Sequence, residues 1–383
     1  MEKSVQRTDH FAGVAAALVL VVGMGFGRFA FTGLYPLMVA DGQISLTGGS
    51  YAASANYTGY LAGALLTAAL SGISSRRLCA FSMLATVVSL VLLVPPLPEW
   101  LIIVIRGFSG AASAIAMVAA SRWLIHDRRQ HSAAPALFSG VGMGILLSAE
   151  LIVTGRAGRL SSASIWMAMA SASLAAAGVA IKMQALADAR RAISERADVE
   201  VGEHISTLAA TRLILVYGFA GFGYIITATY LPLLVKEALS NADPVHVWAL
   251  FGLGAVPSCF VWHFVHLRWG TNRAMLSNLM LQAVGVILPL LHIPAAYLIS
   301  AVFVGGTFMG TVTIALPAAR RIAHRVRFNV IAIMTASYGV GQILGPLVAS
   351  YTRSVTGSFD ASLAIAGAVL AGGALLCISR QTA

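Results

Sequence analysis

Three charged residues lie deep inside apolar segments of this 383-residue chain, namely Arg28, Arg106 and Glu150. A charge inside a bilayer is costly, so each of the three is a candidate for function. At a rise of 1.5 Å per residue, Arg28 lies roughly 15 Å, Arg106 about 11 Å and Glu150 about 9 Å below the outer ends of their segments. Arg106 and Glu150 therefore lie at similar depths, and we expect them to meet across adjacent helices.

Two interpretations of this pair stay open. In the first, Arg106 and Glu150 form a permanent ion pair that holds the fourth and fifth helices together. A buried arginine cannot avoid the cost of its charge by losing its proton, so pairing with an acid is the simplest explanation for Arg106. In the second interpretation, Glu150 is a protonation switch and Arg106 is the partner that it releases. Both residues are thus candidates for coupling to a proton.

Arg28 has no acidic residue at its own depth, because Asp41 lies at the outer boundary of the same segment. A guanidinium in mid-membrane suits a carboxylate or phosphate ligand, which it can bind through two parallel hydrogen bonds. The alternative is a structural bond from Arg28 to backbone carbonyls or to Glu150.

Polar side chains on other segments are consistent with a cavity around Arg28. Asn56, Tyr60, Gly63 and Thr67 fall on one face of a helix at spacings of four, three and four residues. The second half offers hydroxyl and amide groups but no charge. The residues that we predict to bind a solute are Arg28, Asn56, Tyr60, Tyr224, Tyr230, Tyr338 and Gln342.

The chain as a whole is too apolar for an ordinary soluble protein. Hydrophobic residues make up 58% of it and charged residues 10%, and its mean hydropathy is +0.84. About 20 apolar residues cross the hydrocarbon as a helix. The sequence therefore predicts an all-α polytopic membrane protein with twelve transmembrane helices, at 11–39, 48–72, 77–97, 99–124, 133–156, 161–183, 209–236, 245–266, 274–292, 295–319, 328–352 and 358–379.

The net charge of +11 follows the membrane topology. With the N-terminus inside, 19 of the 25 Lys and Arg residues fall on cytoplasmic segments. This asymmetry is the positive-inside rule and predicts that both termini are cytoplasmic. The basic residues thus indicate contact with anionic lipid rather than with nucleic acid. The three cysteines are far apart in the sequence, and we expect no metal site, no disulfide framework and no cofactor.

The stretch Gly25–Val39 returns as Gly221–Val235, with six of fifteen positions identical in register. One position that differs is Arg28, which the second copy replaces by Tyr224. Such duplicated apolar halves are typical of secondary transporters. We predict a six-helix bundle at 1–183, a cytoplasmic linker at 184–208 and a second six-helix bundle at 209–383. No phosphate-binding loop is present, so an ion gradient would have to drive uphill transport.

Several stretches resemble the major facilitator superfamily. Arg106–Ala112 looks like the R-x-x-x-G-x-a pattern of its fourth helix, and Arg76–Arg77 and Trp269–Arg273 resemble the basic loops of its first signature without their usual acid. More specifically, three stretches are similar to the uncharacterised bacterial YbfB/YjiJ-like group: Gly25–Met38, Ser54–Leu66 and Ser337–Ala349. The resemblance covers nearly the whole chain and implies two pseudo-symmetric six-helix bundles that work by alternating access.

We therefore expect a monomeric, proton-coupled secondary transporter of the bacterial inner membrane, which moves a small organic solute and is not an enzyme. A refinement is that the solute carries an anionic group facing Arg28. Multidrug or cation efflux is the alternative, although Ala149 stands where the antiporter signature has proline. A third reading is an intramembrane serine protease with Ser109 in a G-x-S-G motif, which would need a base on a neighbouring helix.

Overall fold

The computed structural model describes residues 9–70, 72–192, 209–238, 244–323, 326 and 330–378. Nearly all of these residues are helical, and no strand forms among them, so the prediction of an all-α protein is confirmed for this part of the chain. The first six helices are α1 (His10–Ala40), α2 (Leu46–Ala69), α3 (Ser75–Leu92), α4 (Glu99–Asp127), α5 (Ala134–Ala157) and α6 (Ser162–Ala192).

The remaining helices begin with α7 (Ala210–Ala238) and a long helical stretch, Pro244–Ile287. That stretch bends at Gly270, whose φ of 75° and ψ of 172° suit glycine. The bend divides it into α8 (244–269) and α9 (271–287). After them come α10 (Pro294–Ala323), α11 (Val330–Thr356) and α12 (Asp360–Leu376). The predicted loop between residues 266 and 274 is thus a one-residue bend between two continuous helical arms.

The described helices are long and apolar enough for a membrane protein. By length and composition, nine helical stretches of the described residues qualify as candidate membrane spans, and α12 is a shorter apolar helix. In the lipid core each backbone group must find its partner within the protein, which a helix achieves inside a single segment. α6 continues as a helix to Ala192, past the predicted start of the linker. The rest of that linker, residues 193–208, lies outside the described residues.

The middle of α1 is a π-helix over Val21–Phe29, between α-helical parts at His10–Leu20 and Ala30–Ala40. Its geometry is seen where the Ala30 N–H donates to the carbonyl of Gly25, five residues back. A π-helical segment shifts the regular hydrogen-bond ladder and is often found at functional sites. Here it presents carbonyl groups toward α4.

The repeated glycines lie where helices cross closely. A Cβ at Gly144 of α5 would come within 2.6 Å of the Cα of Gly25 in α1. Gly221 of α7 is the counterpart of Gly25 in the repeat, and a Cβ at Gly221 would come within 2.5 Å of the Tyr338 carbonyl in α11. α1 and α5 thus pack as α7 and α11 do. Small residues permit such approaches in lipid, where no hydrophobic force draws helices together.

Two pairs of helices make the most extensive contacts between the first six helices and the last six. α5 packs against α8, where a Cβ at Gly252 would lie 2.6 Å from the Leu146 backbone nitrogen. α2 packs against α11, where the Ser54 hydroxyl lies 3.5 Å from the Ile343 carbonyl. α1 and α7, whose middle parts carry Arg28 and Tyr224, pack beside these two seams.

Candidate functional site

Arg106 binds the π-helical segment of α1. It is 2% exposed, and its Nη1 and Nη2 donate to the carbonyls of Gly27 at 2.8 Å and Arg28 at 2.9 Å. The Phe31 ring covers the guanidinium, with its centroid 4.5 Å from the Arg106 Cζ. Carbonyl groups of the π-helical segment thus accept hydrogen bonds from a charged donor. These bonds stabilise both the segment and the buried cation.

The expected ion pair between Arg106 and Glu150 is wrong. Arg106 is turned toward α1, whereas Glu150 is exposed on the surface of α5. No salt bridge of Glu150 is found within the described part of the chain. The predicted partner of Arg106 was an acidic side chain, but carbonyls of the π-helical segment accept its hydrogen bonds instead. It is Arg106, and not Arg28, that makes the structural bond to carbonyls.

Ser109 is also bound to α1. Its hydroxyl donates to the Gly27 carbonyl at 2.6 Å, and Ser113 one turn further donates to the Gly23 carbonyl at 2.6 Å. A nucleophilic serine instead gives its proton to a base. The G-x-S-G match therefore reflects helix packing: Gly110 faces the Asn56 backbone, and Ser109 faces the π-helix.

Arg28 has a different environment from Arg106. Its Cζ lies 4.1 Å from the ring centroid of Tyr60, 4.9 Å from that of Tyr57 and 5.3 Å from that of Phe29. It is 3% exposed, and its Nε and Nη2 atoms have no hydrogen-bond partner within the described residues. A buried cation held by ring faces alone is poorly compensated, because a cation–π contact is weaker than a charged hydrogen bond.

Of the predicted residues on α2, one faces Arg28 and one does not. Tyr60 stacks over the guanidinium, but Asn56 is fully buried and donates from Nδ2 to the Arg106 carbonyl at 2.9 Å. Asn56 thus joins α2 to α4. Tyr57 was missed, because the predicted face ran through Asn56 and Tyr60, and Tyr57 lies beside that face, one residue after Asn56. Its ring contacts Arg28, and its hydroxyl lies 3.0 Å from that of Thr229 in α7.

Tyr224, Tyr338 and Gln342 come together in the second half, as the prediction required of a common site. The Gln342 side chain hydrogen-bonds to the Tyr224 hydroxyl, and the Tyr224 and Tyr338 rings stack with centroids 5.9 Å apart. The Tyr224 ring also stacks on Phe308, and Phe308 contacts Phe29, the neighbour of Arg28. The repeated position of α7 is thus linked to its counterpart in α1 through two aromatic rings.

Further aromatic side chains extend this cluster, and sequence reasoning missed them. Six rings follow one another with successive centroids 4.4 to 5.9 Å apart, and we call them the aromatic row. Phe29, the neighbour of Arg28, contacts Phe308 and Trp248 of the row. Single aromatic residues scattered over four helices give no pattern in the sequence. The aromatic row consists of Tyr217, Tyr338, Tyr224, Phe308, Phe251 and Trp248.

Tyr230 lies apart from this cluster. Its hydroxyl donates to the Ser50 hydroxyl at 2.8 Å and lies 3.2 Å from the Pro346 carbonyl. Its ring packs on Phe359, with centroids 4.7 Å apart. Tyr230 therefore joins α7 to α2 and α11 at one end of the interface between the halves.

An open cavity of about 500 Å³ lies elsewhere, at the predicted cytoplasmic ends of α3, α4 and α6. Within its wall Arg128, whose side chain is 6% exposed, pairs with Asp188 at 3.1 Å and with Asp9 at 2.8 Å. Arg76 also pairs with Asp188, at 3.3 Å. These ion pairs join α6 to α3, α4 and the start of α1, and they lie far along the helices from Arg28. Among the described residues, no cluster of His, Cys, Asp or Glu could hold a metal ion.

A family of known proteins matches most of the chain. The family model described as "Uncharacterised MFS-type transporter YbfB" matches residues 20–378, where MFS stands for major facilitator superfamily. The matched region includes Arg28, Arg106 and the whole aromatic row. No curated protein matches the chain.

Proposed function

Because the chain belongs to this family of MFS-type transporters and is a multi-pass membrane protein, we propose that it is a secondary active transporter for a small organic anion. Membership of a transporter family supports transport rather than catalysis, and the hydrogen-bonded Ser109 agrees with that. The family description gives no substrate, so the substrate class has to be argued from the site.

One observation carries the proposal of an anion: the buried Arg28 has two unpartnered nitrogens. Leaving a buried charge without a partner is strongly destabilising, by about 3–5 kcal/mol when a pair is broken. In Arg106 of the same half, both Nη atoms donate to carbonyls and only Nε is without a partner, so a buried arginine with a structural role is largely satisfied here. We therefore assign the open hydrogen-bonding positions of Arg28 to a bound anionic group.

The position of the site supports alternating access. Arg28, Tyr57 and Tyr60 belong to the first half, whereas Tyr224, Tyr338 and Gln342 belong to the second. The Arg28 side chain is closed off from solvent in this structure. Separation of the halves along the α2–α11 or α5–α8 seam would open the site to one side of the membrane at a time, by rocking about the site.

The wider arrangement that we propose has twelve transmembrane helices in two six-helix bundles, 1–183 and 209–383, with the linker 184–208 between them. The repeated glycine crossings of α1 with α5 and of α7 with α11 support two equivalent bundles. The distribution of Lys and Arg supports cytoplasmic termini. We place this protein in the bacterial inner membrane as a monomer.

Proton coupling is a further part of the proposal, with Glu150 as the protonated group. Glu150 lies seven residues before the end of α5, well inside a candidate span. Since Arg106 is bound to α1, we no longer assign it to coupling through this acid. We expect Glu150→Gln to abolish accumulation driven by a pH gradient while sparing exchange. Unchanged accumulation would make Glu150 structural.

Uptake into proteoliposomes tests the anion site. Wild type and Arg28→Gln are compared with a panel of radiolabelled organic anions, and Tyr60→Phe is the matched control because it retains the ring over the guanidinium. We expect Arg28→Gln to lose transport of the accepted anion and Tyr60→Phe to retain it. Equal transport by wild type and Arg28→Gln would remove Arg28 from the site.

Multidrug or cation efflux is the second candidate function. The exposed carboxylate of Glu150 favours it, as an anionic group within a candidate span. The buried charge of Arg28 opposes it, because a lipophilic cation at the same site would be repelled. This function predicts that deletion of the gene sensitises cells to lipophilic cations.

A further inference from the structure

We infer that the substrate is an aromatic monocarboxylate, with its carboxylate on Arg28 and its ring against the aromatic row. This inference rests on the proposed function and narrows it from organic anions to one chemical class. Three features of the site carry it: the free edge of the Arg28 guanidinium, the hydrogen bonds that already occupy both Nη atoms of Arg106, and the aromatic row beside Arg28.

The two unpartnered nitrogens of Arg28 are Nε and Nη2. In a planar guanidinium, the Nε–H and one Nη2–H point in parallel from the same edge. Two parallel donors at this spacing match the two oxygens of one carboxylate, in the bidentate arrangement that arginine favours. The open edge of Arg28 thus has the geometry of a carboxylate site.

A second negative group would find a much poorer partner than Arg28 among the described residues. Arg106 is the nearest other cation along α4, and its Nη1 and Nη2 already donate to the carbonyls of Gly27 and Arg28, which leaves only its Nε without a partner. The second charge of a dicarboxylate or of a doubly charged phosphate would therefore have one N–H donor in place of an open guanidinium edge. The site favours a ligand with a single negative charge.

The body of the ligand would meet aromatic surfaces. The rings of Tyr57, Tyr60 and Phe29 lie within 4.1 to 5.3 Å of the Arg28 Cζ. On the other side of the interface, Tyr224 stacks on Phe308 with centroids 5.3 Å apart and an angle of 18° between the planes. Phe29, which is next to Arg28 in the chain, also contacts Phe308. The aromatic row therefore passes close to the cation. Stacked rings of this kind offer faces and edges to a further ring.

Binding measurements with purified wild-type protein in nanodiscs test the inference directly. Benzoate is the probe, and three compounds differ from it in one property each: cyclohexanecarboxylate lacks the aromatic ring, benzamide lacks the charge, and terephthalate has a second carboxylate. Isothermal titration at neutral pH avoids the leakage of benzoic acid across bilayers. We expect benzoate to bind about 2- to 10-fold more tightly than cyclohexanecarboxylate, which is the range of an aromatic pair, and benzamide and terephthalate to bind much more weakly.

Variants then locate the interaction. Arg28→Gln should abolish binding of both monocarboxylates, whereas Phe308→Leu should weaken binding of benzoate more than binding of cyclohexanecarboxylate and so remove the preference for benzoate. Equal affinity of the wild type for benzoate and cyclohexanecarboxylate, or tight binding of benzamide, would overturn the inference. If carboxylates bind through Arg28 without an aromatic preference, the proposed function stands and this inference fails. If no carboxylate binds and anion transport does not depend on Arg28, the proposed site itself fails.

Discussion

Arg28 and Arg106 are two buried arginines of the same half, and both contact aromatic rings, but their guanidinium groups differ in their hydrogen bonds. Arg106 makes two charged hydrogen bonds to α1 carbonyls. Arg28 lies between aromatic rings, with Nε and Nη2 unpartnered. Composition and depth alone make the two residues look equivalent in the sequence. Their surroundings separate a packing role from a binding role.

We predict that Arg106→Gln lowers the stability of the protein by about 2–4 kcal/mol, because it breaks charged hydrogen bonds to carbonyls buried between α1 and α4. Thermal unfolding of detergent-purified protein, followed by tryptophan fluorescence, would show the midpoint fall. Arg28→Gln is the matched control, and its midpoint should stay or rise, since it removes a poorly compensated charge. A similar loss of stability in both variants would contradict the division of roles.

Tyr57 gives a second prediction at this scale. Its hydroxyl lies 3.0 Å from that of Thr229, across the interface between the halves. Tyr57→Phe keeps the ring over Arg28 and leaves Thr229 without this partner. We expect faster opening of the interface, seen as increased labelling of a cysteine introduced at Tyr224. The control carries the same introduced cysteine and keeps Tyr57. Equal labelling of the control and the Tyr57→Phe variant would mean that this hydrogen bond does not hold the halves together.

The sequence predicts some contacts of the site and not others, depending on whether the partner of a residue can be recognised from spacing. The structure brings Arg28 together with Tyr60, and Tyr224 together with Tyr338 and Gln342, as depth and the repeat predict from spacing, and the common role of the five in binding a solute stays a prediction. The partner of Arg106 was not, since the carbonyls that it binds become available only when α1 forms a π-helix. The residues Phe308 and Trp248 were missed because packing between distant helices brings them to the site.

At the scale of the element, α1 combines a π-helical segment with a glycine crossing. Gly25 contacts the Gly144 backbone of α5, and the carbonyls of Gly23 and Gly27 accept hydrogen bonds from α4. α1 is thus held on two sides by backbone contacts. The bounds of α1 follow from hydropathy, and the predicted span of 11–39 differs by one residue at each end from the observed His10–Ala40. The change in hydrogen-bond register within it gives no hydropathy signal.

We predict that Gly25→Ala destabilises the protein by about 1–3 kcal/mol, because the added Cβ would overlap the Gly144 backbone, which cannot move as a side chain could. The matched control is Gly178→Ala in α6, where an added Cβ meets nothing within 4 Å. Its midpoint should be unchanged or higher, because alanine favours a helix. The comparison uses thermal unfolding of both variants in one detergent. Equal midpoints for the two variants would show that the α1–α5 crossing tolerates separation.

At the scale of the whole molecule, the two halves repeat a helix crossing but differ in chemistry. The shared glycines Gly25 and Gly221 position α1 and α7 against α5 and α11. The differing pair, Arg28 and Tyr224, faces one common site. The duplication thus gives the two halves an approximate symmetry, which alternating access requires. The charge of Arg28 is present in one half only, and we assign it to recognition of the solute. The repeat could be read from the sequence, whereas the contacts between halves could not, because no motif marks the α2–α11 and α5–α8 seams.

The proposed cycle requires those seams to separate, and a reversible cross-link at one of them tests this. A Cβ at Gly339 of α11 would lie 3.2 Å from the Cβ of Leu61 in α2, close to the separation of about 3.8 Å that is typical of disulfides. Leu61 lies roughly 22 Å along α2 from its first residue, toward the predicted cytoplasmic side. The double variant Leu61→Cys with Gly339→Cys should therefore form a bond that holds the two halves together on that side.

We predict that oxidation of this double variant abolishes transport in proteoliposomes and that a reducing agent restores it. Each single variant should stay active under oxidation, because the native cysteines Cys79, Cys259 and Cys377 are buried and free. The fraction of cross-linked protein, measured by the change in mobility after cleavage within the linker, should match the fraction of activity lost. Full transport by fully cross-linked protein would mean that the α2–α11 seam stays closed on this side throughout the cycle. Solute would then have to reach Arg28 by another route, and rocking of two rigid halves would be excluded.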